Sequence, residues 1–147
     1  MENDWLQIRP AQDADFAFLS TLDTHISPAM LRRKIAAGEV LVAIAGDERA
    51  GYLRWGWFWD NTPFMNLLYV VESWRSRGVA THLITRWEAD MRAQGARFVL
   101  TSTLADESAQ HLYRKLGYRD IGGFVLPDEA LELILFKQLQ PVKAARQ

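Results

Sequence analysis

The chain has 147 residues, 49% of them hydrophobic and 24% charged, the balance of a globular protein with room for one sizeable core. A formal net charge of −1 excludes a general attraction to nucleic acid or to an anionic membrane surface. With no cysteine there is no disulfide framework, no thiolate nucleophile and no cysteine-based metal site. The opening Met1-Glu2-Asn3-Asp4-Trp5 is acidic and lacks the pattern of a signal peptide. No apolar run approaches the ~20 residues of a membrane span. The expectation is a cytoplasmic protein, with residues 1–140 as a single domain and residues 141–147 as a flexible C-terminal tail.

Leu6 and Ile8 alternate with Gln7 and Arg9 before Pro10, which predicts a short first strand. Phe16, Leu19 and Leu22 recur at helical spacing, with Asp13 and Asp15 placed to suit the helix dipole. Ser27-Pro28 is an N-cap followed by a proline at the first helical position. The helix it opens carries Met30, Leu31 and Ile35 and stops at Gly38. Val40 to Ala45, Ala50 to Trp59 and Met65 to Val71 are strands joined by short turns, an antiparallel meander. Val79 to Ala93 is a helix with Leu83, Trp87 and Met91 inward and Arg86, Glu88, Asp90 and Arg92 on the remaining face. Phe98 to Thr103 reads as a strand, Asp106 to Leu116 as a helix closed by Gly117, and Tyr118 to Ile121 and Leu131 to Leu139 as closing strands. An antiparallel half followed by a βαβ unit gives an α+β class with a mixed sheet.

The stretch from Met65 to Thr81 carries the chemistry. An apolar strand runs into Arg75-Ser76-Arg77-Gly78-Val79-Ala80 and then directly into a helix. A helix N-terminus presents unpaired N–H groups and the positive end of its dipole, so a basic, glycine-containing turn at that point suits an anion. The same residues also fit a helix start with two solvated arginines.

This element order and three local patterns resemble the GNAT superfamily of N-acetyltransferases over roughly residues 5 to 139. Arg75-Ser76-Arg77-Gly78-Val79-Ala80, after Leu68-Tyr69-Val70, is similar to the family's acetyl-CoA signature: Gln or Arg, two residues, Gly, one residue, then Gly or Ala. Asp106-Glu107-Ser108-Ala109, followed by Leu112-Tyr113 and Gly117-Tyr118, resembles the family's later helix. Ile8-Arg9-Pro10-Ala11 with Asp15 is a weaker likeness. The resemblance implies a three-layer α+β fold: a mixed, mostly antiparallel sheet of about seven strands with a central parallel pair, flanked by about four helices.

It also implies acetyl-CoA as cosubstrate, and an amine, in a small molecule or a protein, as acceptor. The N–H groups of Ser76, Arg77, Gly78, Val79, Ala80 and Thr81 would face the pyrophosphate, with Arg75 or Arg77 adding a charged bond. Leu68, Tyr69 and Val70 would pair with the pantetheine arm, one N–H polarising the thioester carbonyl. Tyr113 matches the tyrosine that protonates the departing thiolate, although its spacing alone also fits a core aromatic. Asp106 takes the place of the family's asparagine near the cofactor, or is simply a helix N-cap. Where many family members carry a carboxylate base on the central strands, this chain has none, and the matching position is Thr101. Three routes for the amine proton remain: water with Asn66, Tyr69, Thr101 or Thr103 as relays, a loop residue such as His25, Asp60 or Glu107, or an acceptor amine of low pKa.

Trp55, Trp57 and Trp59 alternate along one strand and are expected on one face, either as core beneath the N-terminal helices or as an aromatic wall for an acceptor. His25, His82 and His111 share no metal-ligand spacing, so no metal is expected. Besides the acetyltransferase, two other readings stand. One is a CoA-binding regulatory domain of the same fold without catalysis, for which the missing carboxylate speaks. The other is a homodimeric binding module using the tryptophan strand.

Overall fold

The computed structural model describes residues 4–140. Its elements are β1 (Leu6–Pro10), α1 (Phe16–Leu22), α2 (Pro28–Ala36), β2 (Val40–Ala45), β3 (Glu48–Phe58), β4 (Thr62–Val70), α3 (Val79–Ala93), β5 (Phe98–Leu104), α4 (Ala109–Lys115), β6 (Arg119–Phe124) and β7 (Glu132–Gln138). Short 3₁₀ turns at Asp13–Asp15 and Glu72–Trp74 precede α1 and follow β4. The strands form one sheet in the order β1-β2-β3-β4-β5-β7-β6. β1 and β2, β2 and β3, β5 and β7, and β6 and β7 pair antiparallel. β4 and β5 are the parallel pair, with Phe64 opposite Leu100 and Met65 opposite Thr101. The mixed α+β sheet expected from the element order is therefore present. The tail expected at residues 141–147 lies outside the described residues.

The described residues fall into two compact units: those up to Gly56 with Asn66–Trp87, and Trp57–Met65 with those from Glu88 onward. In the first, α1 and α2 bury Leu19, Leu31 and Ile35 against Val40, Val42 and Tyr52, with Leu67 and Tyr69 of β4 packed alongside. Each such side chain contributes roughly 1.5–3 kcal/mol when fully buried. The ends of α2 follow the sequence signals. Ser27 Oγ accepts from the Met30 N–H at 3.1 Å, Pro28 opens the helix, and Gly38 takes φ 73° just beyond it. Asp15 does more than complement a dipole. It is buried, and its carboxylate accepts from Arg9 at 2.7 Å, Arg49 at 2.7 Å and the Gln12 N–H at 2.7 Å.

The tryptophan stripe does not hold as one face. Trp55 is buried and meets Trp87 of α3 with ring centroids 6.3 Å apart, so it packs on α3, not beneath α1 and α2. β3 stops at Phe58, and both Trp59 and Asp60 adopt left-handed backbone, φ 55° and 62°. That turn takes Trp59 out of the strand's alternation and leaves it 73% exposed.

In the second unit, Phe64, Leu100 and Ile134 form a small core with Phe58, Phe98 and Phe136 around it. Two expectations are corrected here. Glu88, expected with Arg86, Asp90 and Arg92 on the face of α3 away from the apolar residues, is 5% exposed and paired. The helix expected from Asp106 begins only at Ala109, so Asp106 is not its N-cap; Ser108 occupies that position. The cause is local. Glu107 Oε1 accepts from the Leu104 N–H at 2.9 Å, and Gln110 Nε2 donates to the Ala105 and Glu107 carbonyls at 2.8 and 2.7 Å. These bonds hold residues 105–108 as a turn instead of a first helical turn.

Candidate active site

The link from β4 to α3 lies in the first unit. Arg75 is extended, Ser76 has φ 62°, Gly78 has φ 87°, and α3 starts at Val79. Left-handed positions on either side of Arg77 alternate the hand of the backbone, the pattern that gathers N–H groups into an anion-binding concavity. The His82 N–H closes the first helical turn onto the Gly78 carbonyl at 3.0 Å. The N–H groups of Val79, Ala80 and Thr81 precede that bond and have no partner inside the helix. A Cβ on Gly78 would come only within 3.6 Å of the His82 ring, ordinary contact, so glycine is needed there for its backbone hand and not for space.

The two arginines differ. Arg75 Nε donates to the Val70 carbonyl at 2.9 Å, and its guanidinium lies 5.6 Å from the Tyr69 ring centre, fastening the turn to β4. Arg77 lies 5.0 Å from the Trp74 ring centre. Trp74 stacks on Trp5 at 6.1 Å and donates from Nε1 to Glu48 Oε2 at 2.9 Å, so Arg77 rests on a fixed aromatic layer. Leu68, Tyr69 and Val70 are half-buried at the end of β4. The Tyr69 ring meets Tyr52 at 6.1 Å and packs with the first unit's core.

Tyr113 and Asp106 lie in the second unit. Tyr113 is on α4, 5% exposed. Burial pushes its phenol up to about 12; a hydrogen bond with Thr101 pulls the other way, and the carboxylates of Glu107 and Glu132 push it up further. Thr101 is 1% exposed and donates from Oγ1 to the Met65 carbonyl at 3.0 Å. Asp106 is exposed in the turn before α4.

The sequence-named base and relay residues are differently engaged. His25 follows the buried Asp23 with its ring nitrogen 3.7 Å from that carboxylate. Asp60 sits in the β3–β4 turn with left-handed backbone. Glu107 holds the Leu104 N–H and meets Thr103 Oγ1 at 3.4 Å. Asn66 is exposed on β4. Among the described residues, no group of three or more His, Asp or Glu side chains is gathered to hold a metal, and no helix is long and apolar enough to cross a membrane.

Sequence reading missed one cluster. Tyr118 donates from its hydroxyl to Glu88 Oε2 at 2.8 Å, and Lys137 Nζ donates to Glu88 Oε1 at 2.9 Å. The Tyr118 ring lies 5.9 Å from that of Tyr113. The only sequence signal was the aromatic residue after Gly117.

The family model described as "Acetyltransferase (GNAT) family" matches residues 5–118. No curated protein sequence matches the chain. Solved structures share its fold at low identity. Ard1 from Thermoplasma volcanium superposes with a TM-score of 0.81 at 16% identity, covering 93% of this chain and 99% of that one. The yncA protein of Salmonella typhimurium, solved with its cofactor acetyl-CoA, gives 0.78 at 20% identity, covering 96% and 98%. The ribosomal-protein-S18-alanine N-acetyltransferase of Escherichia coli gives 0.77 at 12%, covering 97% and 99%. The strand–turn–helix at Arg75, the parallel β4–β5 pair and the family match agree, and the chain belongs to the acetyltransferase (GNAT) family.

Proposed function

We propose that the chain is an acetyl-CoA-dependent N-acetyltransferase that moves the acetyl group directly to a primary amine within a ternary complex. The observation that carries this reading is the Tyr113 phenol, buried on α4 in the same unit as Thr101 and the parallel strand pair and protonated at neutral pH. The alternating-hand turn Arg75–Gly78 and the first N–H groups of α3 support binding of the pyrophosphate. One N–H among Leu68, Tyr69 and Val70 serves as donor to the thioester carbonyl oxygen. The absence of cysteine excludes a cysteine-linked acyl-enzyme.

In the step itself, the neutral amine forms a bond to the carbonyl carbon, the C–S bond breaks, and the electron pair leaves on sulfur. A phenol at about 12 cannot simply lose its proton to a thiolate whose conjugate thiol has a pKa near ~8.5; full transfer is uphill by roughly 5 kcal/mol. Tyr113 therefore acts by donating a hydrogen bond to sulfur as charge develops. The amine loses one proton as the bond forms and the departing thiolate takes up one, so the protons balance and the phenol ends the step as it began. Thr101 spends its own proton on the Met65 carbonyl and is no base. An α-amine, pKa ~7.7–8.0, needs far less help with deprotonation than a lysine near ~10.4, and suits a site without a strand carboxylate.

The test is to supply acetyl-CoA with a panel of α-amines, lysine side chains and small amines, and to follow free thiol together with the mass of the acetylated product. Stoichiometric thiol and acetyl-amine support the reading. CoA binding without thiol release from any amine would favour the non-catalytic CoA-binding domain instead, for which the threonine at position 101 speaks.

A further inference from the structure

α4 has seven residues, too few to fix its own side chains by helical stability alone. Its C-terminal end is closed by two bonds: the Tyr118 N–H reaches the Tyr113 carbonyl at 2.9 Å, and the Gly117 N–H reaches the Arg114 carbonyl at 3.1 Å. Gly117 itself has φ 97°. This is a Schellman end, in which the residue after the glycine packs on the residue five positions before it. Here those residues are Tyr118 and Tyr113, their rings inclined at 53°.

Such a contact usually joins two apolar side chains that need no further partner. Tyr118 is held from two more elements. Its hydroxyl donates to Glu88 on α3, and Glu88 accepts in turn from Lys137 on β7. The Lys137 ammonium also lies 5.7 Å from the Tyr118 ring centre, and its stem lies where a Cβ on Gly117 would be 3.5 Å away. Glu88 and Tyr118 are 5% and 3% exposed. A buried carboxylate is costly unless paired, and an apolar side chain would fill the same space as well or better. What the charged pair adds is direction: two charge-assisted bonds fix where the Tyr118 hydroxyl points.

We propose that Tyr118, anchored by Glu88 and Lys137, is a positioning residue that fixes the ring of Tyr113 and so aims its hydroxyl. The inference rests on the reading of Tyr113 as hydrogen-bond donor to the thiolate.

The test begins with Tyr118→Phe, which removes one oxygen and keeps the ring. The turnover number for thiol release falls about tenfold while KM for acetyl-CoA stays within about twofold, because aim is lost and not cofactor affinity. In a Tyr113→Phe background the same change produces no further loss. Glu88→Gln, which keeps an acceptor for the hydroxyl, retains more activity than Glu88→Leu. The chain has only four tyrosines, so ring flips of Tyr113 can also be followed by carbon-labelled NMR, and they become faster in Tyr118→Phe. Equal proportional losses in both backgrounds, or an unchanged flip rate, would overturn the proposal. If the native chain releases no thiol with any amine but the flips still accelerate, the positioning role stands and the acetyltransferase reading falls.

Discussion

Thr101 donates a 3.0 Å hydrogen bond to the carbonyl of Met65, the residue it faces in the parallel register of β4 and β5. The hydroxyl is buried, so its bond competes with no water. It ties the strand pair together through a side chain. Thr101→Val keeps the shape but leaves the Met65 carbonyl short of a partner. The expected loss is about 1–3 kcal/mol, read by urea denaturation. Thr101→Ser recovers most of it.

Asp15 sets the acid limit of the first unit. Burial would raise its pKa, but hydrogen bonds from Arg9, the Gln12 N–H and Arg49, together with the Arg9 charge, outweigh burial and hold it far below the usual carboxylate range. A depressed carboxylate contributes stability that is present above its unfolded pKa of ~3.9 and is lost as pH falls through the lower folded value. Unfolding free energy should drop steeply below about pH 4 in the native chain. Asp15→Asn should flatten that slope and cost about 2 kcal/mol at neutral pH, a figure reduced for the partial exposure of both arginines.

Two neighbouring polar groups in the first unit should respond in opposite ways. Arg54 and Asp23 form a buried pair at 2.6 Å, and Arg54→Met strands the carboxylate at a cost of about 3–5 kcal/mol. The hydroxyl of Tyr52 is buried with no hydrogen-bond partner among the described residues. Tyr52→Phe removes a desolvated group that gains nothing, so stability should hold or rise by up to about 1 kcal/mol. Thermal unfolding of the two variants side by side checks both.

The elements that were legible in the sequence are those fixed by neighbours in the chain. Ser27-Pro28 and Gly38 bracket α2 because capping needs only local bonds. Glu88 was not legible. Helical spacing places it among polar residues, and only Tyr118, 30 positions on, and Lys137, 49 positions on, draw it inward. Trp59 was misplaced because alternation cannot see that Trp59 and Asp60 form the turn themselves. Asp106 fell outside α4 because Glu107 and Gln110 bond backward to the chain, a competition that composition does not reveal. The glycine turn at Arg75–Ala80 was legible as a turn because its shape is set by the backbone, by Gly78 and the helix start.

At that turn, Gly78→Ala places a side chain in left-handed backbone at a cost of about 1 kcal/mol and should weaken CoA binding several-fold by calorimetry. Arg77→Ala should weaken binding as well and flatten its dependence on salt, since it removes an exposed charge from the ligand's reach. Arg75→Ala should lower thermal stability too, because Arg75 is bonded to the Val70 carbonyl.

The most direct measurement is steady-state thiol release from acetyl-CoA by the native chain and by Tyr113→Phe, with CoA binding measured on both. The expected result is a fall in turnover number of about 100-fold or more in the variant, with CoA affinity unchanged. In the native chain, activity should rise as the acceptor amine deprotonates. Equal turnover by the two proteins would contradict the role given to Tyr113.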